Sequence, residues 1–399
     1  MNDLSLAAFE SIIGPENVNS AADPPILLPL NEHHLSEIIH RAGSDSVKVI
    51  SGGRRTFPAP ESPDKSIVVS TTAMSSVKEI NPDDFIVITQ AGAVVDDVVS
   101  EAEHKGFLVP LDITSGDVST VGGALMTGAL GPSSAGYGVF RESVIGVRCV
   151  SPNGDIITGG GRTAKNVTGY DIPRFLAGTM GLFAIAFELT IKVKPLPESR
   201  VIVVARFSGG SKSFHTVKKL AAGIKNMTML EIIAPEGLGG IVTVAVGLEG
   251  METIVRQSAD ITRDRLGEAG ADNIHEEKRE TFMKQRRGAS KNMVGNDFLT
   301  ISVPSSSSDT LMEKIHAYSE TMPVIAHPAI GRFHCVSRDE KVIQTLRETS
   351  LSVGGKRPLL WGAILHQGIS DLFTGAELEI ARSLKREFDP QNILNPHLL

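Results

Sequence analysis

The sequence predicts an α+β protein built in two parts, and two observations carry this prediction. Residues 24 to 200 alternate short apolar strands with amphipathic helices and are interrupted by three glycine-rich segments. From Val201 onward, the order strand, helix, strand, strand, helix occurs twice, over residues 201 to 270 and 298 to 355. Such an order builds an antiparallel sheet covered by helices on one face. We therefore expect two domains: residues 1 to 200, completed by residues 371 to 399, and residues 201 to 370.

The first domain opens with a strand, a helix and a strand in "PPILLPLNEHHLSEIIHRAGSDSVKVISGG". Leu35, Ile38, Ile39 and Ala42 recur at helical spacing, whereas "VKVIS" alternates at strand spacing. A second helix is predicted over residues 96 to 105, and the following "FLVPL" is typical of a strand.

Further along, "SVIGVRCVSPNGDIIT" predicts two strands joined by a Pro-Asn-Gly turn. A helix is expected to begin near "DIPRFLAGTMG", because Asp171 can cap it and Pro173 occupies its first turn. The segment "FAIAFELTIKVKPLP" predicts a long strand that two prolines end.

Composition and charge limit the classes of partner. The chain has 399 residues, of which 41% are hydrophobic and 21% charged, and its net charge is -7. These values are typical of a soluble globular protein and argue against nucleic acid as a partner. We expect no direct membrane span and a cytoplasmic location, with contact to the inner membrane only through partner proteins. Cys149 and Cys335 are far apart, which excludes an encoded iron-sulfur cluster or thiolate zinc site.

The three glycine-rich segments are "SGGRRT" (51 to 56), "VSTVGGALMTGALGPSSAGYG" (118 to 138) and "GGGRTAKNVTGYD" (159 to 171). Glycine lets another group approach the main chain, and backbone N–H groups in turns form concavities that bind anions. Three such loops at strand ends could together surround a diphosphate and a flat ring. The alternative is that these residues are turn glycines with no ligand.

Conventional nucleotide motifs do not account for these segments. "GGGRTA" (159 to 164) fits the G-x-G-x-x-A pattern, but "KNVTGYD" follows it where a Rossmann fold would open directly into a helix. The expected acidic residue about 20 positions later is also missing. The sequence contains no P-loop motif either.

Taken together, "VKVISGGRRT", "ITQAGAVVDDVVSEAEHKGFLVPLD", "DVSTVGGALMTGALGPSSAGYG", "KNVTGYDIPRFLAGTMGLFAIAFELTIKVKPLP" and "FDPQNILNP" resemble the PCMH-type FAD-binding fold of the vanillyl-alcohol oxidase family. Within that family, the sequence is most similar to the FAD-binding accessory subunits of bacterial glycolate oxidase complexes. The resemblance covers residues 24 to 200 and the last 20 residues, while residues 201 to 370 match in element order alone. It implies an FAD domain of two α+β subdomains and a cap domain, with the flavin at their junction.

The resemblance also implies which residues bind FAD. The first pyrophosphate loop would consist of Gly52, Gly53, Arg54, Arg55 and Thr56. The second would consist of Asp117, Val118, Ser119, Thr120, Gly122 and Gly123, with Pro110, Gly128, Gly131 and Gly138 beside the flavin. Lys165, Asn166, Gly169 and Asp171 would form the next loop, Gly181 and Ile185 the adenine side, and Asn395 would return from the tail.

The sequence departs from the family pattern in ways that bear on the cofactor. Arg54 stands where the first loop usually has a third glycine, and an arginine there could pair with phosphate. Neither of the first two glycine segments contains a histidine, so we expect FAD to be bound non-covalently. Catalytic relatives carry a metal-binding "HxHxGDGNxH" cluster, which this sequence lacks, and we therefore predict no metal.

Candidates for a catalytic base are His327, His334 and His366 in the second domain, although an isolated histidine is more often a packed or surface residue. Arg286 and Arg287 could bind a substrate carboxylate, but their charged surroundings favour a solvated or partner-docking face. His334, His366 and Arg287 are the predicted catalytic residues.

Three functions remain open. The first is an FAD-binding subunit of a glycolate-type 2-hydroxy acid dehydrogenase complex, in which a sister FAD-containing subunit oxidises a small 2-hydroxy acid and an iron-sulfur subunit takes the electrons onward. The second is an independent FAD-dependent oxidase or dehydrogenase that uses one of the histidines. The third is a non-redox scaffold, in which flavin is structural or absent.

Overall fold

The computed structural model describes residues 6–52, 65–113, 119–162, 169–208, 223–294, 298–318, 321–337, 339–356, 359–361 and 375–399. Its helices are α1 Ala7–Ile13, α2 Glu32–Ser44, α3 Val95–His104, α4 Val121–Thr127, α5 Ser134–Tyr137, α6 Ile172–Leu176, α7 Glu252–Glu268, α8 Arg279–Val294, α9 Ser308–Tyr318, α10 Glu340–Ser352 and α11 Gly375–Phe388. Its strands are β1 Val18–Asn19, β2 Ile26–Leu27, β3 Lys48–Gly52, β4 Ser66–Ser70, β5 Val77–Asn81, β6 Ile86–Gln90, β7 Phe107–Leu108, β8 Val144–Val150, β9 Ile156–Gly160, β10 Ile185–Lys192, β11 Lys194–Pro195, β12 Ser199–Ser208, β13 Met227–Ala234, β14 Ile241–Gly250, β15 Asn273–Lys278, β16 Phe298–Ser302, β17 Val324–His327, β18 Arg332–Cys335 and β19 Leu359–Trp361.

The first 200 residues contain two α+β layers. A four-stranded sheet has the order β1-β2-β4-β3, with β2, β4 and β3 parallel, and α2 packs on it through the apolar residues that the helical spacing indicated. A five-stranded antiparallel sheet has the order β5-β6-β10-β8-β9. The predicted hairpin is confirmed, since β8 pairs with β9 across the Pro-Asn-Gly turn.

The tail closes the first layer. A parallel bridge joins Val49 of β3 to Leu394, and the N–H of Asn395 donates to the carbonyl of Val49 at 2.7 Å. Ile393 and Leu394 are buried in the same apolar core as α2. The C-terminal residues therefore lie against the strand that leads into the first glycine segment.

The remaining sheet is antiparallel and has eight strands in the order β15-β12-β14-β13-β17-β18-β16-β19. Helices α7, α9 and α10 cover one face and bury the apolar side chains of alternate strand positions. The first helix predicted within residues 201 to 270, in "SFHTVKKLAAGIKN", lies largely outside the described residues. These features confirm the α+β class, while the limits of the two domains stay a prediction.

Two expectations about local structure were wrong. Helix α8 lies on the other face of the large sheet, where Phe282 and Met283 pack against Ile202 and Ile325, so helices cover both faces. The second glycine segment is not all loop, since it contains α4. This helix forms because the Thr120 hydroxyl caps it and because Val121, Ala124 and Leu125 pack into an apolar core.

Candidate active site

The first and second glycine segments meet at a small cavity. It has a volume of about 70 Å³ and is lined by Ser51, Gly52, Thr71, Gly122, Gly123, Met126, Thr127, Met180, Gly181, Ala184, Ile185 and Ala186. Five of the predicted FAD residues are among them, namely Gly52, Gly122, Gly123, Gly181 and Ile185. The described lining residues carry no charged side chain, so small and uncharged walls face this space.

Gly181 and the tail residue Asn395 meet at the edge of this cavity. A Cβ atom on Gly181 would lie 2.4 Å from Oγ of Ser51 and 2.7 Å from Nδ2 of Asn395, and its φ of +75° also favours glycine. The Asn395 amide donates to Oγ of Ser51 at 2.8 Å and to the Met180 carbonyl at 2.9 Å. The N–H of Ser51 donates to Oδ1 of Asn395 at 2.8 Å. Asn395 therefore holds two walls of the cavity together.

Packing within the protein requires a glycine at position 122. Its Cβ atom would lie 2.6 Å from Cβ of Ala91, and its N–H donates to the Ala91 carbonyl at 2.8 Å. The N–H of Gly123 donates to Oγ1 of Thr120 at 3.1 Å, with which an added Cβ would also be in tight contact. Both amides are thus engaged within the protein, and the turn-glycine alternative explains Gly122 well.

The other predicted FAD residues in the described part of the chain fall into three groups. Pro110 and Ser119 line a second and larger cavity. Gly128 ends α4 with φ +61°, Gly138 ends α5 with φ +82°, and Gly131 packs so closely on Asp112 that its Cβ would lie 2.0 Å from Oδ1. Gly169 and Asp171 are exposed, and Asp171 caps α6 as predicted. Gly53, Arg54, Arg55, Thr56, Asp117, Val118, Lys165, Asn166 and His366 lie outside the described residues.

The second cavity, about 380 Å³ in volume, lies where the first 200 residues meet the large sheet. Pro110, Ser119 and Tyr137 line one side, while Arg200 and Arg279 line the other. The cofactor pocket was expected at this junction, and that placement stays a prediction.

A hydrogen-bonded group of polar side chains crosses this junction. The hydroxyl of Tyr137 donates to Oε2 of Glu249 at 2.5 Å, and Nη1 of Arg279 lies 3.1 Å from Oε1 of the same carboxylate. Arg279 also donates to Oγ of Ser133 at 3.0 Å and lies 3.7 Å from Asp112. Burial and the adjacent Glu249 carboxylate raise the pKa of Tyr137 well above its usual value. Tyr137 therefore remains a neutral hydrogen-bond donor at neutral pH.

A second group of polar side chains lies on the face of the large sheet opposite α7, α9 and α10. Strand alternation points Phe333 and Cys335 of β18 toward those helices and places Arg332 and His334 on the opposite face. The same alternation adds Glu231, Thr300 and His327 from neighbouring strands. We call Glu231, Thr300, His327, Arg332 and His334 the polar face.

Arg286 of α8 completes this group from above the sheet. Its Nε donates to the two Glu231 carboxylate oxygens at 2.6 and 2.8 Å, and both side chains are buried. Its Nη1 donates to the carbonyl of Ile113 at 3.2 Å. Ile113 follows Pro110 by three residues, and both line the second cavity. The interpretation of Arg286 as a solvated or docking residue was wrong, because Glu231 compensates its charge inside the protein. The side chain of Arg287 is not among those described.

The two histidines of the polar face are neutral. His327 and His334 have ring centroids 5.8 Å apart, and Nδ1 of His334 lies 3.1 Å from Oγ1 of Thr300. Burial, with the nearby Arg332 and Arg286 guanidinium groups, lowers the pKa of His334 to about 3. Burial also lowers the pKa of His327 well below its usual value. His334 is thus buried and neutral, and as a base it would be weak.

Sequence reasoning missed Glu231, Glu249 and Tyr137. Two of them carried a signal, since Glu231 interrupts the apolar strand "MLEIIAP" and Glu249 ends "VTVAVGLEG". A buried acidic residue in an apolar strand requires a partner, which predicts an arginine or a tyrosine nearby. No feature of the sequence shows which residue that partner is.

Comparison with known proteins identifies the class. Residues 25–160 match the family described as "FAD binding domain". The chain is 26% identical to "Glycolate oxidase subunit GlcD" of Bacillus subtilis (strain 168), over 97% of this chain and 88% of that protein. It is 25% identical to a "D-lactate dehydrogenase" of Archaeoglobus fulgidus, over 93% of this chain and 90% of that protein. The fold is similar to that of alkyldihydroxyacetonephosphate synthase, with a TM-score of 0.69, 17% identity, and coverage of 94% and 77% of the two chains.

These findings, with the cavities at the predicted cofactor residues, define an FAD-binding oxidoreductase or a subunit of one. The chain thus contains a segment that matches an FAD-binding domain, and it is similar along most of its length to proteins named as a glycolate oxidase subunit and a D-lactate dehydrogenase. Among the described residues, no helix combines the length and apolar character needed to cross a membrane. The same residues contain no group of three histidine, cysteine or acidic side chains arranged to hold a metal ion.

Proposed function

We propose that this chain is the FAD-binding subunit of a glycolate-type 2-hydroxy acid dehydrogenase complex. A sister FAD-containing subunit would oxidise the 2-hydroxy acid, and an iron-sulfur subunit would take the electrons onward. The observation that carries the proposal is the state of the charged groups at the domain junction. The similarity to a protein named as a glycolate oxidase subunit also supports the proposal.

Three of the junction arginines already face carboxylates of the protein. Arg279 forms ion pairs with Glu249 and Asp112. Arg286 forms an ion pair with Glu231. Arg200 forms ion pairs with Glu103 and Glu280. An arginine that is neutralised in this way has little charge to offer a substrate carboxylate. Together with the low pKa of His334, this supports a subunit whose main task is to hold a cofactor.

The residues at the first cavity fit part of a non-covalently bound FAD. Gly52, Gly123 and Gly181 would let the cofactor approach the backbone, and Ile185 would supply an apolar wall. Pro110 and Ser119, at the second cavity, would lie on the cofactor's other side. When bound, FAD supplies reversible two-electron and one-electron chemistry. The protein's part is to position the cofactor, and Tyr137 would hold a proton on its phenolic oxygen at the junction.

The test uses the full-length chain, alone and co-expressed with candidate partner subunits. The visible spectrum and chromatography of the flavin released by acid measure FAD content. Stopped-flow absorbance then follows reduction by glycolate or D-lactate. We expect released FAD, slow or no reduction of the isolated chain, and reduction in the assembled complex. A chain that neither contains nor takes up FAD would refute the cofactor assignment.

A second candidate is an independent FAD-dependent dehydrogenase. The match to the Archaeoglobus fulgidus D-lactate dehydrogenase extends along nearly the whole of both chains and favours this candidate. Steady-state turnover of the isolated, FAD-loaded chain with a 2-hydroxy acid and an artificial acceptor would decide for it. Flavin that stays oxidised in the complete complex would instead support a scaffold role.

A further inference from the structure

Helix α8 turns one face toward the large sheet and the first 200 residues. Arg279, Phe282, Met283 and Arg286 follow the spacing that places side chains on one side of a helix, and they are the residues of α8 with described side chains that are shielded from solvent. The two arginines are two turns apart, at either end of this face. A cation in the first turn is disfavoured by the helix dipole, so contacts outside α8 account for Arg279.

Each of these arginines is held by one carboxylate of the large sheet. Nη1 of Arg279 lies 3.1 Å from Oε1 of Glu249 in β14, and Nε of Arg286 donates to both oxygens of Glu231 in β13. Both glutamates are buried. Because a guanidinium has five N–H donors in one plane, the sheet can fix each side chain while other donors of the same group bind a second partner.

The second partners lie at the two ends of one stretch of chain. Nη2 of Arg279 donates to Oγ of Ser133 at 3.0 Å and lies 3.7 Å from Oδ2 of Asp112, while Nη1 of Arg286 donates to the carbonyl of Ile113. Asp112 accepts from the N–H of Ser133 at 3.1 Å, which joins the two ends. We call residues 112 to 133 the cofactor segment, of which residues 114 to 118 lie outside the described residues.

The cofactor segment carries the predicted FAD residues from Asp117 to Gly131. Its helix α4 brings Gly122 and Gly123 to the first cavity. At its far end, a Cβ atom on Gly131 would lie 2.0 Å from Oδ1 of Asp112, so this packing leaves no room for the two residues to shift independently. A change in the position of Asp112 is therefore passed along the segment toward the cavity.

Asp112 faces both arginines of α8. Burial lowers the pKa of Arg286, but the carboxylates of Glu231 and Asp112 outweigh burial and raise that pKa above its usual value. Asp112 and the side chain of Arg279 are both largely buried, which strengthens the attraction between their charges. The contacts at the end of the cofactor segment are thus both hydrogen-bonded and electrostatic.

We propose that α8 clamps the cofactor segment, with Arg279 and Arg286 as positioning residues that raise the affinity for FAD. Neither arginine is among the described residues that line the first cavity, so both act on that cavity through residues 112, 113 and 133. A loop that is already held in its binding conformation loses less conformational entropy when the ligand binds. The inference rests on the FAD assignment and goes beyond the proposed function, because it gives two arginines of the second domain a role in binding by the first.

The probe is FAD, added to the full-length chain after its flavin has been removed. Flavin fluorescence measures the dissociation constant, and hydrogen exchange of the apoprotein measures the protection of residues 119 to 131. Arg279→Gln is the test variant. Arg200→Gln is the matched comparison, because the side chains of Arg200 and Arg279 are 11% and 13% exposed and both are ion-paired at the second cavity, but Arg200 contacts Glu103 of α3 instead of the cofactor segment. Arg263→Gln, an exposed change in α7, is the control.

We expect the dissociation constant for FAD to be at least about tenfold higher in Arg279→Gln, as loss of a hydrogen bond from a charged group predicts. Exchange over residues 119 to 131 should be faster in the same variant. Arg200→Gln should lose less affinity, and Arg263→Gln should bind FAD like the wild type. Arg279→Lys, which keeps the charge, should restore part of the affinity even if Arg279→Gln folds badly. The double variant Arg279→Gln/Asp112→Asn should bind no worse than Arg279→Gln, because the two side chains act as one unit.

Wild-type affinity in Arg279→Gln would overturn the proposal. Equal losses in Arg279→Gln and Arg200→Gln would also overturn it, since they would mean that only the general docking of the two parts matters. A wild-type chain that binds no FAD would contradict the cofactor assignment instead. The exchange measurement would still test the clamp in that case, because it needs no cofactor.

Discussion

The Nζ atom of Lys385 lies 2.6 Å from Oδ2 of Asp389, and both side chains are buried. Lys385 also donates to the carbonyls of Leu182 and Leu394, while Asp389 accepts from the N–H groups of Ile393 and Leu394 at 2.8 Å each. The pair thus fixes the turn that places Asn395 at the first cavity. The buried Lys385–Asp389 pair therefore holds Asn395 in position at this cavity.

Replacing Lys385 with Met should destabilise the protein strongly. The substitution leaves the Asp389 carboxylate buried without its cation, which typically costs about 3 to 5 kcal/mol. Urea unfolding measures the stability, and FAD content should fall with it because Asn395 loses its support. Arg386→Met, an exposed change one residue along α11, is the control and should have almost no effect. Wild-type stability in Lys385→Met would mean that the pair does not support the turn.

Alanine substitutions at Gly122 and Gly123 should distinguish a glycine that packing requires from a glycine that FAD binding requires. Gly122→Ala places Cβ 2.6 Å from Cβ of Ala91 and should cost about 1 to 3 kcal/mol of stability through overpacking. Gly123→Ala meets only the Thr120 hydroxyl tightly, and the helical preference of alanine offsets much of that contact. We expect Gly123→Ala to fold with nearly normal stability but to bind FAD more weakly. Unchanged affinity for FAD in this variant would mean that Gly123 does not approach the cofactor.

Much of the fold could be predicted from sequence because local patterns specify it. The helical spacing of Leu35, Ile38 and Ile39 places α2, and the Pro-Asn-Gly turn fixes the β8–β9 hairpin. The two segments that were predicted wrongly lack such a local pattern. Because of its glycines, α4 was predicted as loop, although Thr120 caps it as a helix. The charged residues of α8 predicted an exposed helix, whereas its apolar residues Phe282 and Met283 pack on the sheet.

The junction could be predicted only in part. Glycine motifs identified residues of the first cavity, since close packing of backbones requires glycine whatever the rest of the sequence does. The polar face depends on strand register, which places Glu231, His327 and Arg332 from three strands side by side. Register is decided by contacts between distant segments, so the sequence alone could not show that Arg286 pairs with Glu231.

Removing the Glu231 charge should be more damaging than removing the whole pair. Glu231→Gln leaves the Arg286 guanidinium buried without a counter-ion, at a cost of about 3 to 5 kcal/mol. The double variant Glu231→Gln/Arg286→Met removes both charges and should recover a large part of that loss. Urea unfolding of the single and double variants forms a double-mutant cycle. Additive losses in this cycle would show that the two side chains do not stabilise each other.

The buried, neutral His334 should make stability depend on pH between about pH 6.5 and pH 3. The pKa of His334 in the folded protein is about 3, below the value of about 6.5 expected in the unfolded chain. In that interval the unfolded chain binds a proton that the folded protein does not, so stability falls as pH falls. The groups that face His334 are Thr300, His327, Arg332 and Arg286, and burial together with the two arginines lowers the pKa of the ring.

Comparing the pH dependence of wild type and His334→Gln isolates this contribution. Between about pH 7 and pH 5, a single histidine of this kind should cost about 2 kcal/mol, which the variant should not lose. Other histidines with a lowered pKa, such as His397, titrate in both proteins, so the difference between the two slopes belongs to His334. Urea unfolding at three pH values measures both slopes, whatever the variant's stability at pH 7. Parallel slopes would mean that His334 is protonated as readily in the folded protein as in the unfolded chain.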